Sequence, residues 1–243
     1  MLSAREREIA RKQSKLLKTL RIVFGVLFIA AVVLGGVLFY RWTHSLEQQS
    51  ELRNREETFL RELNQDYIGW LTVYGTDLTH PVVQGEDNTY YLKHNFYHLM
   101  DSSGCLFMDH RVDTEAEGHY LIWGRYLSNG TMMGSLSGYL DLDYFREHNV
   151  VEFVLNGEDL YYEIFAVLVN PGYSEQEGYI PIEDYINDIG EDATEALVGE
   201  LRARAVYWRD LDLDGTDHFL FLMTTDYTEE RGRMLLCARL LDT

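Results

Sequence analysis

The chain has 243 residues and carries 40 Asp and Glu against 21 Lys and Arg, a formal charge of −19. At roughly 150 residues per domain this allows one domain with attachments, or two small ones, and excludes a large multidomain assembly. Residues 1–21 hold seven basic and two acidic side chains, net +5, which leaves −24 on the remaining 222. An acidic body of this kind excludes nucleic acid as a natural partner, because that binding depends on Lys and Arg displacing condensed counterions.

In chain order, the basic tail comes first, with Arg5, Arg7, Arg11, Lys12, Lys15, Lys18 and Arg21. Residues 22–40 follow, nineteen in a row without a charge. As a helix they would span about 28 Å, close to the hydrocarbon thickness of a bilayer. A cleaved signal peptide has a shorter apolar stretch, about 7–15 residues, ending at a small-x-small site. This run instead continues into Tyr40-Arg41-Trp42. The expectation is one uncleaved transmembrane helix over 22–40, with the N-terminus cytoplasmic by the positive-inside rule and the rest extracellular. Residues 41–63 lack Gly and Pro, and Leu52, Phe59 and Leu63 are spaced by seven and four, which suits a helical stalk.

Residues 64–243 are enough for one compact domain with a sizeable core. Strand signals dominate it. Ile68 to Val73 ends at a Gly75 turn, and Val150 to Val154 turns at Asn156-Gly157 into an apolar run from Tyr161 to Val169, predicting a hairpin. Phe219 to Met223 and Met234 to Cys237 are further β runs. Between them, 182–204 has helical spacing interrupted by Gly190 and Gly199. Many strands with a few inserted helices predict a mostly β protein, a closed or nearly closed barrel.

Four features compete for a chemical role. Cys105 and Cys237 are too few for a disulfide framework, and each sits in an apolar run, so both are expected to be packed thiols. Asp210-Leu211-Asp212-Leu213-Asp214-Gly215 matches the first half of a calcium loop. Its second half fails, with Phe221 where a bidentate Glu belongs, and the expectation is an acidic turn and no metal site. Asn129-Gly130-Thr131 is formally a glycosylation sequon and reads better as a turn. His119 and His218 are candidate proton carriers, but strand spacing and parity put them far from the segment considered next, or on its other face.

An ordered series of segments runs through the whole predicted domain. It starts with Asn64-Gln65-Asp66-Tyr67-Ile68-Gly69-Trp70-Leu71, His80-Pro81-Val82-Val83-Gln84 and Asp87-Asn88-Thr89-Tyr90-Tyr91-Leu92. It continues through Gly104-Cys105-Leu106-Phe107-Met108-Asp109, Leu121-Ile122-Trp123-Gly124 and Arg231-Gly232-Arg233-Met234-Leu235-Leu236. This series resembles the class B sortases, membrane-anchored cysteine transpeptidases of Gram-positive surfaces. The resemblance implies an eight-stranded sortase β-barrel with an N-terminal helix and a helix before the penultimate strand.

The family chemistry uses a thiolate that attacks a threonyl carbonyl, a histidine that protonates the leaving amine, and an arginine that stabilises the oxyanion. By the resemblance, the histidine of the family's Tyr-Gly-His-Asn segment corresponds to Arg125 in Trp123-Gly124-Arg125-Tyr126. The cysteine that ends its Leu-Ser-Thr-Cys strand corresponds to Thr225, and the arginine is retained as Arg233. Asn88 and Leu92 match groove positions, Met223 replaces a serine there, and Asp226 adjoins the nucleophile position. An aliphatic hydroxyl requires a nearby base to act as a nucleophile, and a guanidinium that stays protonated cannot serve as one. Asp226 neighbours Thr225, but successive strand residues point to opposite faces. The expectation is a catalytically degenerate sortase that binds sorting-signal peptides or an active sortase, with no cofactor. The alternative is an active transpeptidase with an atypical nucleophile, joining surface proteins to a cell-wall or pilin amine. A third reading, a structural surface protein that merely keeps the barrel, would bind no sorting peptide.

Overall fold

The computed structural model describes residues 24, 28, 31–41, 55–116, 118–171, 176–187, 190–225 and 232–241. The chain divides into two units, Met1–Arg55 and Glu56–Thr243. In the first, residues 31–41 are helical and their side chains are exposed. Among the described residues no helix is long and apolar enough to cross a membrane. The basic tail, parts of the predicted span and the stalk over 42–54 lie outside the described residues.

The second unit opens with helix α1, residues 55–63. The seven-and-four spacing predicted Phe59 and Leu63 on its apolar face, yet Phe59 is 58% exposed and Leu63 39%. Leu60 is the residue packed on the core, and Arg61 ties the helix down by donating to the Tyr67 carbonyl and to Asn156. The pattern misled because a short helix resting on a barrel contacts it along one narrow line, which spacing alone does not locate.

Nine strands follow among the described residues. In order they are β1 (Tyr67–Val73), β2 (Thr79–Val83), β3 (Leu106–Met108), β4 (Tyr120–Gly124) and β5 (Val150–Leu155). Then come β6 (Glu158–Asn170), β7 (Tyr207–Trp208), β8 (Phe219–Thr224) and β9 (Arg233–Leu240). Helix α2 (Leu142–Glu147) precedes β5 and α3 (Glu191–Arg204) precedes β7. The strands run β5-β1-β2-β3-β4-β8-β9-β6, and β6 pairs back onto β5, so eight of them close a barrel. The two-residue β7 hangs on β6 outside that ring. Closure removes the unpaired edges an open sheet would expose.

The expected hairpin forms β5 and β6, and its turn residues Asn156 and Gly157 have φ of 51° and 87°. Two positive φ values in succession are what a two-residue hairpin turn of the right twist requires, and Asn-Gly meets that at little cost. Gly190 and Gly199 behave differently from one another. Gly190 stands at the N-cap of α3, while Gly199 lies within the helix and does not interrupt it. Its surroundings leave open space where a side chain would be.

The core is built from the inward faces of the strands, with Leu71, Val73, Phe107, Phe153, Phe165 and Phe221 each 0–1% exposed. Burying a side chain of this size contributes about 1.5–3 kcal/mol relative to leaving it in water. Strand β1 alternates buried and half-buried residues, as expected when one face is covered. Strand β8 is buried at all six positions, because structure covers both its faces.

Candidate functional site

Strands β4 and β8 are parallel neighbours, with Trp123 opposite Met223 and Gly124 opposite Thr224. Parallel strands in register end at the same rim, so the residues that follow them, Arg125 and Thr225, emerge side by side. The Thr225 amide donates to the Gly124 carbonyl at 2.9 Å. Strand β9 runs antiparallel to β8 and therefore begins at that same rim, with Arg233. The Thr224 hydroxyl accepts from the Met234 amide at 2.9 Å and extends the β8–β9 ladder to the edge of the site. Arg125, a hundred residues before Thr225 in sequence, is thus brought beside Thr225 and Arg233 by strand order alone.

They line a cavity of about 510 Å³, whose walls also include Asn88 and Leu92. Five of the seven residues expected in the site therefore share it. Met223 does not line it. This side chain is 1% exposed and belongs to the core, where β8 is covered on both faces and a large apolar group is the fitting occupant. Asp226 lies outside the described residues.

Asp109, Arg111, Trp123 and Glu183 also belong to the site and were not among the site residues expected from the sequence. Asp109, just past the end of β3, is fully buried and is the hub of its polar network. Its carboxylate accepts from Arg111 Nε at 2.8 Å, Arg111 Nη2 at 2.7 Å, Asn88 Nδ2 at 2.8 Å and the Trp123 indole at 3.0 Å. Burial alone would raise this carboxyl, but the hydrogen bonds from Arg111 and Trp123, with the Arg111 charge, outweigh it and hold the group below the ordinary carboxylate range. Asn88 also accepts from the His110 amide at 3.0 Å, so its orientation is set from both ends.

Trp123 has two tasks. Its indole N–H is anchored on Asp109, and the guanidinium carbon of Arg233 lies 5.5 Å from the centre of its ring. That is cation–π distance, and the indole face holds the Arg233 charge at the cavity. Glu183, in a 3-10 turn at Ile182–Asp184, is the carboxylate among the described lining residues, against Lys93, Arg111, Arg125 and Arg233. Nothing in the spacing of Asp109, Trp123 or Glu183 distinguishes them from other strand-end and loop residues.

Neither cysteine reaches the cavity. Cys105 and Cys237 are free and buried, and burial pushes the Cys105 thiol up to about 12 and the Cys237 thiol higher than an ordinary thiol. A thiol so raised holds little thiolate at neutral pH and is a poor nucleophile. His119 is fully buried, where its Nδ1 accepts from the Phe219 amide at 3.1 Å. Asp214 accepts from the Thr216 amide and hydroxyl, the geometry of a capped acidic turn. Asn129 likewise accepts from the Thr131 amide across Gly130, which has φ of 81°.

Chemically, this rim offers a guanidinium fixed for an oxyanion or carbonyl, a second guanidinium at Arg125, and a hydroxyl. The Thr225 Oγ1 is buried and has no hydrogen-bond partner among the described residues. Among the described residues none accepts a hydrogen bond from it.

No protein-family model matches the chain. It is 29% identical over 198 residues to Sortase B of Listeria monocytogenes, covering 80% of this chain and 76% of that protein. Sortase B of Staphylococcus aureus is 28% identical over 200 residues, covering 80% and 78%. Among solved structures, a cysteine-to-serine variant of Clostridium perfringens sortase B superposes with a TM-score of 0.73 at 25% identity, covering 81% of this chain and 91% of that one. A Staphylococcus aureus sortase B-substrate complex shares the fold, with a TM-score of 0.68 at 21% identity over 82% and 94% of the two chains. In sequence and in fold, over about four fifths of its length, the chain is similar to the class B sortases.

Proposed function

We propose that this chain is a single-pass cell-surface protein whose sortase domain binds sorting-signal peptides without joining them to an amine. Arg125 and Thr225 then stand where the family has its histidine and cysteine. One observation carries this reading: the described residues lining the cavity include Arg125, Thr225 and Arg233 but neither cysteine and no histidine. Arg233 keeps the oxyanion role available, while a hydroxyl beside a protonated guanidinium lacks both an activated nucleophile and a proton carrier. The expected role is regulation or capture, acting on the peptide or on an active sortase that shares it. The basic tail and the uncharged run over 22–40 support an anchor with the barrel outside the cell.

The test is the full chain in detergent, incubated with a library of sorting-signal peptides and an amine acceptor, with binding followed by fluorescence anisotropy and products by mass spectrometry. Binding without cleavage or amide exchange is expected. Turnover that disappears in Thr225→Ala would overturn the reading in favour of an atypical enzyme. Failure of every peptide to bind would leave a barrel kept for structural reasons.

A further inference from the structure

We infer that the barrel carries a second binding site, at the end opposite Arg233, which takes a primary alkylammonium group. It does not depend on what the first cavity binds.

Strand directions set its place. Strands β4 and β8 are parallel and β9 is antiparallel to β8, so the rim at which β4 and β8 begin is the rim at which β9 ends. Strand β6 starts there too, with Tyr162 opposite Leu240. A cavity of about 410 Å³ opens at this end, lined by Tyr120 of β4, Tyr162 of β6, His218 just before β8 and Leu240 of β9. Along the β4 direction Tyr120 and Arg125 are about 17 Å apart, which separates this cavity from the first.

Charge sets the sign of the ligand. The first cavity gathers Lys93, Arg111, Arg125 and Arg233, whereas the described residues lining the second include Glu115 and Glu158 and no Lys or Arg. Arg61, on α1, donates to the Tyr67 carbonyl and the Asn156 side chain and does not line it. Two carboxylates by themselves would be only an acidic rim. Tyr162 adds an acceptor that the fold leaves open. Successive residues of β6 face opposite ways: the Tyr161 hydroxyl donates to Glu152, while Tyr162 lies inside and is 1% exposed. The Tyr162 hydroxyl makes no hydrogen bond to a described residue. Unlike the Tyr139 hydroxyl, it is not one of the unpartnered polar atoms sealed from solvent, so it opens on the cavity that its ring lines. Burial first, and then Tyr120 and Glu158, raise this phenol, which stays an O–H whose oxygen can accept. A polar atom of a buried side chain that lacks a protein partner and reaches a cavity marks where a ligand group is expected.

The walls select the kind of cation. Leu155, Leu160 and Leu240 supply an apolar side for a hydrocarbon chain. Among the described residues no three His, Cys, Asp or Glu side chains gather as metal ligands. An alkylammonium suits this mixture, since its N–H donors meet Glu158 and the Tyr162 oxygen, its chain lies on the leucines, and the phenol rings attract its charge.

The experiment uses the full chain in non-ionic detergent, with butylammonium and its neutral match butan-1-ol as probes. Dissociation constants are read from NMR titrations followed at leucine methyl groups. The native chain is expected to bind butylammonium about tenfold or more tightly than butanol, and in Glu158→Gln that preference falls to about twofold. Tyr162→Phe is expected to weaken butylammonium about threefold and to leave the melting temperature of the free chain unchanged or higher, because its hydroxyl has no partner in the fold. Acetyl-lysine N-methylamide separates two sources of the ammonium. Binding as tight as butylammonium assigns a lysine side chain and weaker binding a free amine, and either supports the site. Asp143→Asn, an exposed carboxylate on α2, controls for net charge. Equal binding of the two probes, tighter binding of calcium ion than of butylammonium, or the same loss in Asp143→Asn as in Glu158→Gln overturns the proposal. If Tyr162→Phe fails to unfold cooperatively, Glu158→Gln decides alone.

Discussion

Asp109 is the residue on which the site's polar network depends, and its removal has a direction that can be worked out. Its four side-chain hydrogen bonds come from Arg111, Asn88 and Trp123. An Asn at this position would present one NH2 group to those donors, so Asp109→Asn is expected to cost about 1–3 kcal/mol, part of it recovered because Arg111 can turn to solvent. In a domain of this size that lowers the melting temperature by about 2–4 °C per kcal/mol, measurable by calorimetry. The pH dependence follows from the depressed carboxyl. As pH falls below about 4 the unfolded chain takes up this proton before the folded one does. The stabilisation is therefore complete above that pH and is lost as pH drops through the lower folded value. Asp109→Asn should flatten the acid limb of the stability curve, and an unchanged limb would show that other carboxylates govern it.

At the same scale lies the test of the proposed loss of chemistry. Thr225→Cys alone is expected to give little turnover of a sorting peptide, because an unassisted thiol lacks its general acid, worth roughly 100- to 10,000-fold. Arg125→His with Thr225→Cys should exceed either single change, and strongly non-additively, as residues acting as one unit do. Rates from mass spectrometry that simply multiply would argue that the two positions do not work together. The native thiols should react slowly with a methanethiosulfonate reagent, since both are buried and raised. A rapid reaction in the folded protein would contradict the packing.

The element that most needs its glycine is the start of β9. Gly232 has φ of 78°, and a Cβ there would collide with the Asn170 carbonyl oxygen. Gly232→Ala is strained by conformation and by contact together, and is expected to cost about 1–2 kcal/mol from the left-handed backbone alone. It should also displace Arg233 from Trp123, and an NMR spectrum that leaves the Trp123 indole resonance in place would refute that coupling. Asn170 acts on the facing segment. Asn170→Ala removes the paired hydrogen bonds to Ile180 and should speed hydrogen exchange at the Ile180 amide well before the barrel itself opens. The strands of this region were legible from apolar runs and turn residues, and the Asn156-Gly157 hairpin from its dipeptide. The contact line of α1 was not, because Leu60 buries by virtue of what lies beneath it. Nor was Met223 as a core residue, since its burial depends on cover over both faces of β8.

For the whole molecule, the charge step from +5 over 1–21 to −24 beyond it is what supports the proposed topology. Protease added to intact protoplasts is expected to remove the domain after the apolar run and spare the N-terminus. An untouched domain, under conditions that digest a known surface protein, would reverse the orientation. Composition, charge placement, the nineteen-residue uncharged run, strand runs and the family segments are local properties, and the sequence by itself determined them, together with the identity of Arg125, Thr225 and Arg233. Closure of the barrel through β5 and β6, the meeting of β4, β8 and β9 at one rim, and the polar contacts of Asp109 and Trp123 were decided only by tertiary structure. Each depends on which non-adjacent strands pair and on which polar atoms that pairing withdraws from water, and neither is encoded in a local pattern.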